Sequence, residues 1–385
     1  MLRAVACEAF EFSFEGSFVG IRHAGLLIMA LVVACSEYKL ESALDADGAL
    51  DTGRDTRTDT DGDDTAAPSS YDGAITGRIC DPSGGGWIVG AYVYTMIDTD
   101  GDGEGDTKVE DSTDESGRYR LAGLPIYRDY EVIAVKGSFT ASYEVSVGEG
   151  TTEIPDDECA LDPPNIAVVT GDYDHIEDII GEMGLEYTEF NGTFGATEYR
   201  DFLTDSAAMS EFDIIFLNCG VSSEWLDTHR EEIRGNLRGF VEAGGSVYAS
   251  DWAYYFVELP FPGKIDFYGD DSTVGDAQYG WLGMVTANVV DPVMQAIIGS
   301  TTASINFDLS SWAISESLAP DVDVLLQANV EAMDLWGGTT MIPNAPIASR
   351  FDIGAGRVIY TAFHNGHQGT TIDMREILEE IILSL

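Results

Sequence analysis

The sequence predicts a multidomain chain, a β-sandwich over residues 71–162 followed by a doubly wound α/β domain over residues 163–385. Three observations point there. Between Tyr71 and Cys159, short β-branched and aromatic runs alternate with Gly, Pro and Asp, the texture of short strands joined by tight turns. From Pro163 onward, buried-type strands alternate with helical apolar periodicity, the pattern of βαβ units on a mostly parallel sheet. The chain's 385 residues, 44% of them hydrophobic, supply enough apolar material for two folded domains.

Residues 1–34 read as a secretion signal. The apolar run Leu26 to Ala34 is far shorter than the ~20 residues that span a bilayer. It matches a signal h-region and follows Arg22 and His23. Val32-Val33-Ala34-Cys35 resembles the lipobox of bacterial lipoproteins, whose cysteine is diacylated and becomes the mature N-terminus. The resemblance implies lipidation at Cys35, a lipid membrane as partner, and a place in the cell envelope, as an outer-membrane lipoprotein or at the cell surface. Ser36 is compatible with outer-membrane sorting in that family. An ordinary cleaved signal with Cys35 incidental is the alternative. Glu8, Glu11 and Glu15 put negative charge where an n-region is positive, so the signal is expected to start downstream, near Val19.

Residues 35–70 read as a tether. Glu41 to Ser70 is rich in Asp, Thr and Gly and nearly devoid of large apolar side chains, so it cannot build a core. Behind a lipidated cysteine it is a flexible, self-repelling spacer. Asp59, Asp61 and Asp63 offer loose calcium ligands, or are simply solvated. Over the whole chain, 68 acidic against 19 basic residues give a net charge of −49 and a pI near 4.1. Such a surface repels phosphate backbones and excludes nucleic acid as a partner.

The strand candidates of the first domain lie at 74–80, 87–97, 117–124, 129–136 and 138–147. Gly77-Arg78-Ile79, Asp81-Pro82, Val89 to Val93 and Asp114 to Pro125 resemble the carboxypeptidase regulatory-like (transthyretin-like) domain. That resemblance implies a seven-stranded accessory module, a spacer or binding platform rather than a catalyst. Within the segment, Asp98, Asp100, Asp102, Glu104 and Asp106 alternate around Gly103, pointing several oxygens toward one centre as Ca²⁺ requires. The loop resembles the first nine positions of an EF-hand, with Glu104 placed to offer its carbonyl. Val109 stands where the bidentate Glu belongs, so affinity depends on Glu110 or Asp111. An acidic hairpin loop without an ion is the alternative. Cys80 and Cys159 flank the module, and an oxidising envelope permits a disulfide between them; two unpaired thiols remain the other possibility.

In the second domain, Asn165 to Thr170 is a buried-type strand and Ile176, Ile179, Ile180 and Met183 mark a helix ended by Gly184. The strand 213–217, the helix bearing Ile233, Leu237, Phe240 and Val241, and the strand 246–250 continue the alternation. Further strands are expected at 323–327, 346–351 and 357–363, and a closing helix carries Met374, Ile377, Leu378, Ile381, Ile382 and Leu385 inward. The order is that of a flavodoxin-like sheet.

Phe216 to Gly220, Phe240 to Trp252 and Gly356 to His364 resemble the class I glutamine amidotransferase-like superfamily, including its ThuA-like branch. Active members carry a cysteine at the strained strand-to-helix turn after the GG-strand. Here that turn reads Ser250-Asp251-Trp252, which implies a degenerate domain. Cys219 ends the neighbouring strand, as a small buried residue or a site residue. His364 falls where the superfamily's catalytic histidine does, with His367 three residues on. With Asp251 and His175 they are suited to a metal or to general acid–base work in the crevice at the strand ends, or to a degenerate pocket. The insertion Glu258 to Gly280 is placed to cover that crevice or meet a partner. Two functions follow: a tethered lipoprotein binding a protein or glycan, or an envelope hydrolase using Asp251, His364, His367 and Cys219.

Overall fold

The computed structural model describes residues 71–269, 277–333, 338–366 and 369–385. The signal, Cys35, the tether and His367 lie outside the described residues. Those described belong to one compact unit spanning 66–385. No helix among them is long and apolar enough to cross a membrane.

Seven strands precede the α/β domain: β1 (Gly73–Arg78), β2 (Tyr92–Ile97), β3 (Thr107–Ser112), β4 (Arg118–Leu124), β5 (Arg128–Lys136), β6 (Phe139–Val147) and β7 (Thr151–Glu153). They form a three-stranded sheet, β4-β1-β7, and a four-stranded one, β3-β2-β5-β6. Alternating residues point inward: Tyr119 and Leu121 from β4, Tyr130, Val132 and Ala134 from β5, and Phe139, Ala141, Val145 and Val147 from β6, with Leu124 brought inward by a register shift against β1. This period of two is what the pleat dictates. β3 and β7 were not among the expected strands, and both are sheet edges. An edge strand gains by carrying charge that blocks further pairing, so TKVEDS and TTE read as loops. Cys80 and Cys159 are disulfide-bonded, and the Cys80 N–H donates to Cys159 O at 2.9 Å.

The remaining strands are β8 (Ile166–Thr170), β9 (Tyr187–Asn191), β10 (Ile214–Leu217), β11 (Ser246–Ser250), β12 (Ile265–Phe267), β13 (Gly283–Val289), β14 (Thr302–Phe307), β15 (Ser315–Leu318), β16 (Asp323–Met333), β17 (Thr339–Ile353) and β18 (Gly356–Thr361). Nine form one sheet in the order β14-β13-β16-β17-β18-β11-β10-β8-β9. From β18 to β9 every pairing is parallel. Numbered among themselves, these five run 2-1-3-4-5, the doubly wound order with its reversal between β8 and β10. β8, β10 and β11 are buried throughout, as strands covered by helices on either side must be, whereas the edge strand β9 is mostly exposed.

The expectation of a doubly wound domain therefore holds for half of the sheet and needs correction for the rest. β17, β16, β13 and β14 extend it in antiparallel fashion. The expected strands 323–327 and 346–351 are parts of two long arms, β16 and β17; the outer half of β16 alternates buried and exposed residues, and that of β17 is mostly exposed. Part of the insertion 258–280 is also structured, with β12 pairing to β15.

The helices follow the apolar spacing. Ile176–Glu182 buries Ile176, Ile179 and Ile180, and Gly184 follows it at φ +75°, the left-handed turn that ends a helix most cheaply at glycine. Arg230–Glu242 buries Ile233, Leu237, Phe240 and Val241. Ile372–Ser384 starts at Thr371, whose hydroxyl caps the Met374 N–H.

Candidate functional site

Because β8, β10, β11 and β18 are adjacent and parallel, their carboxyl ends deliver residues 171–175, 218–220, 250–252 and 363–365 to one edge of the sheet. Ligands of open α/β sheets bind at this edge, beside the point where strand order reverses. The turns are tightly stitched. A Cβ at Gly171 would lie 2.1 Å from Cys219 O, so only glycine lets the β8 turn reach the β10 turn. Cys219 O accepts the Tyr173 and Asp174 N–H groups at 3.2 and 3.3 Å.

Asp251 follows β11 directly and begins a short 3₁₀ turn, Asp251–Tyr254. Its φ of +44° lies in the left-handed region that side chains other than Gly, Asn and Asp rarely adopt. One carboxylate oxygen, Oδ1, accepts the Ala313 N–H at 2.8 Å. The other, Oδ2, lies 3.5 Å from Cys219 Sγ and 3.5 Å from His364 Nδ1. His364 Nε2 in turn lies 3.3 Å from Asp308 Oδ1. Beneath them, the Ser250 hydroxyl donates to Asp174 and accepts the Cys219 N–H at 2.9 Å. The Asn365 N–H reaches the other oxygen of Asp174 at 3.0 Å.

The cluster is sealed. Cys219, Asp251 and His364 are 0%, 1% and 6% exposed. Burial pushes the Cys219 thiol far above its ordinary range, Asp251 adding to the effect and His364 opposing it. Burial also raises Asp251, against His364 and the Ala313 N–H, and raises Asp174 despite His364 and Ser250. For His364, burial alone would lower the pKa, but Asp251, Asp308 and Cys219 carry it well above the usual imidazole value. Asp308, half open to solvent, is lowered chiefly by His364. Asp251 and Asp308 thus end up shifted in opposite directions beside the same imidazole. Asp308 is the firm counter-charge, because water still supports its ionised form, whereas Asp251 loses more to desolvation than His364 returns.

The structure brings together three of the four residues expected to matter, Cys219, Asp251 and His364, and the fourth, His367, lies outside the described residues. His175 Nδ1 faces Glu177 Oε1 at 3.3 Å, while its N–H donates to Asn365 O and its carbonyl accepts from Asn365 Nδ2. Asp308 was missed, since it follows β14, an antiparallel strand with no counterpart in the expected topology. Asp174 and Ser250 were missed as well, although both sit at strand ends.

In the acidic loop between β2 and β3, Asp98, Asp100 and Asp102 have carboxylate oxygens within 4.8 Å of one another. Asp106 turns away, accepting from Thr99 and Thr107 hydroxyls at 2.8 and 2.9 Å, and the Glu104 N–H donates to Asp102 at 2.8 Å. Of the five expected residues, Asp98, Asp100 and Asp102 thus bring their side-chain oxygens together.

A cleft of ≈ 650 Å³ lies elsewhere. Asp213, Ser246 and Ala355 place it at the amino ends of β10, β11 and β18, and Lys136 and Gly137 of the β5–β6 turn close it from the other side. It is remote from the acid–thiol–imidazole chemistry, and size alone does not make it the site.

No family model matches the chain, and no curated protein matches it. Solved structures do. A protein assigned as part of a GMP synthase, from Thermoplasma acidophilum, is 13% identical over 57% of this chain and 93% of its own, with a TM-score of 0.38. A ThuA-like protein from Bacteroides uniformis is 14% identical, over 57% and 89%, at 0.37. A glutamine amidotransferase from Thermotoga maritima is 8% identical, over 52% and 75%, at 0.34. At such scores the likenesses carry neither fold nor function. The assignment of the domain rests on its own strand order and registers.

Proposed function

We propose that this chain is an envelope lipoprotein, held to a membrane through acylated Cys35, with a binding or structural role toward a protein or glycan. In this reading the two small sheets are a carboxypeptidase regulatory-like β-sandwich. The second domain is a glutamine amidotransferase-like, ThuA-like body that has lost catalysis. The observation that carries the proposal is the sealed elbow. The strained turn after β11 bears Asp251 rather than a thiol, and Cys219, the domain's one cysteine, is fully buried. A nucleophile must be reached by substrate and ionise near neutral pH, and Cys219 meets neither requirement. Exposed Trp281, Leu282, Met284 and Met341 supply apolar surface of the kind that partners cover. The Asp98, Asp100 and Asp102 loop is a calcium site in the same reading.

One observation favours the hydrolase reading: Cys219, Asp251 and His364 converge at the ligand-binding edge of the sheet. Alkylation of the full chain in a chelating buffer separates the two. The proposal expects Cys219 to stay unmodified until denaturant is added, and Cys35→Ser to release the protein from membranes. Rapid alkylation of the folded chain, slowed by His364→Ala, supports the hydrolase instead.

A further inference from the structure

Three donors of different chemistry, Cys219 Sγ, Asp251 Oδ2 and His364 Nδ1, lie within 4.8 Å of one another. They come from three neighbouring strand ends, those of β10, β11 and β18. Hydrogen bonding explains only part of the arrangement, the Cys219 thiol donating to Asp251 Oδ2 at 3.5 Å. His364 Nδ1 is buried and makes no hydrogen bond among the described residues, its 3.5 Å separation from Asp251 being longer than such a bond allows. A buried ring nitrogen without a hydrogen bond, held only by the charge of Asp251, is incompletely compensated.

We infer that these residues bind a divalent transition metal of the Zn²⁺ type. The separations fit. Tetrahedral Zn²⁺ holds sulfur at about 2.3 Å and nitrogen or oxygen at about 2.0–2.2 Å, which sets its ligands about 3.4–3.6 Å apart. The two separations from Asp251 Oδ2 are both 3.5 Å, and Cys219 and His364 lie within 4.8 Å of each other. A thiolate, an imidazole and a carboxylate together select a borderline-soft ion over Ca²⁺ or Mg²⁺.

The surroundings are those of a ligand set. Asp308 Oδ1 stands 3.3 Å from the far nitrogen of His364, the carboxylate–histidine–metal relation that fixes tautomer and ring orientation. The Ala313 N–H holds Asp251 Oδ1, which leaves Oδ2 for the ion. Three protein donors leave a fourth position for water or a small ligand. The site stands apart from the functional reading above, because a metal can tie these strand ends together whether or not the domain is catalytic.

The full chain, stripped with chelator and loaded with Co²⁺, provides the test. Expected are one ion per chain after dialysis, a thiolate-to-cobalt charge-transfer band in the absorption spectrum, and a rise in Tm on adding Zn²⁺. The band disappears in Cys219→Ser, and Asp308→Asn weakens Zn²⁺ about 10–100-fold while retaining it. Should Cys219→Ser fail to fold, the wild-type cobalt spectrum decides alone. A spectrum without the thiolate band overturns the site, as does a Tm rise equal in wild type and Asp308→Asn, since the ion then sits among other carboxylates.

Discussion

Asp251 sits at φ +44° with its Oδ1 on a buried N–H of Ala313. Two effects are separable there by substitution. Asp251→Gly frees the backbone but leaves that N–H unsatisfied, at a cost of about 1–3 kcal/mol. Asp251→Ala loses the same acceptor and also forces a Cβ without a polar group into the left-handed region, about 1–2 kcal/mol more. In chelating buffer, urea unfolding is therefore expected to rank wild type above Asp251→Gly and Asp251→Gly above Asp251→Ala. If Asp251→Ala equals or exceeds Asp251→Gly, the turn is not strained in solution. At this scale the sequence was legible wherever a residue ends a parallel strand, since β-runs such as FLNC and YASD announce their own carboxyl ends. Asp308 was not, because nothing near Phe307 signals that an antiparallel hairpin returns it to the imidazole.

Among elements, the hairpin β2–β3 shows what pattern reading can and cannot extract. Its acidic spacing is visible in the sequence, but which carboxylates converge depends on turn geometry. Asp98 accepts from loop N–H groups, first among them Gly101, which hold its carboxyl below the usual range. Asp106 is instead drawn to Thr99. Under the proposed calcium reading, three converging carboxylates correspond to weak binding, with Kd about 10⁻⁴–10⁻³ M. At about 10 mM Ca²⁺ the linkage relation gives about 1.4–2.7 kcal/mol, hence a Tm rise of about 2–4 °C for a unit of this size. Calorimetry of the full chain is expected to show that rise, and Asp100→Asn with Asp102→Asn to abolish it. A rise untouched by both substitutions would place the ion elsewhere on this acidic chain. The antiparallel extension was the less legible part of the fold for a related reason: β16 and β17 mix continuous and alternating burial along one strand, so no single period describes either.

At the scale of the molecule, the seven-stranded module and the α/β domain are joined by chemistry as well as by chain. Lys136, at the end of β5, reaches 2.5 Å from Glu380 of the closing helix and also donates to Val89 O at 3.0 Å. The nearby Ser138 N–H donates to Leu385 O. Both charged side chains are buried, at 7% and 6% exposure. Burial raises Glu380, and Lys136 pulls it back. Lys136→Met removes the counter-charge and is expected to cost about 3–5 kcal/mol near neutral pH, the penalty of an orphaned buried charge. Lys136→Met with Glu380→Leu should recover most of that loss, since no charge is then left behind. The pH dependence has a definite sign. A carboxyl whose folded pKa exceeds its unfolded value stabilises the fold when protonated, and that contribution disappears as pH rises through the folded value. The single variant lifts Glu380 further, so its deficit should be large at about pH 8 and shrink toward about pH 5. Urea midpoints at the two pH values measure this directly. A deficit independent of pH, or a double variant as weak as the single one, would mean that Lys136 acts through its aliphatic stem and its bond to Val89 rather than by neutralising Glu380 between the two parts of the fold.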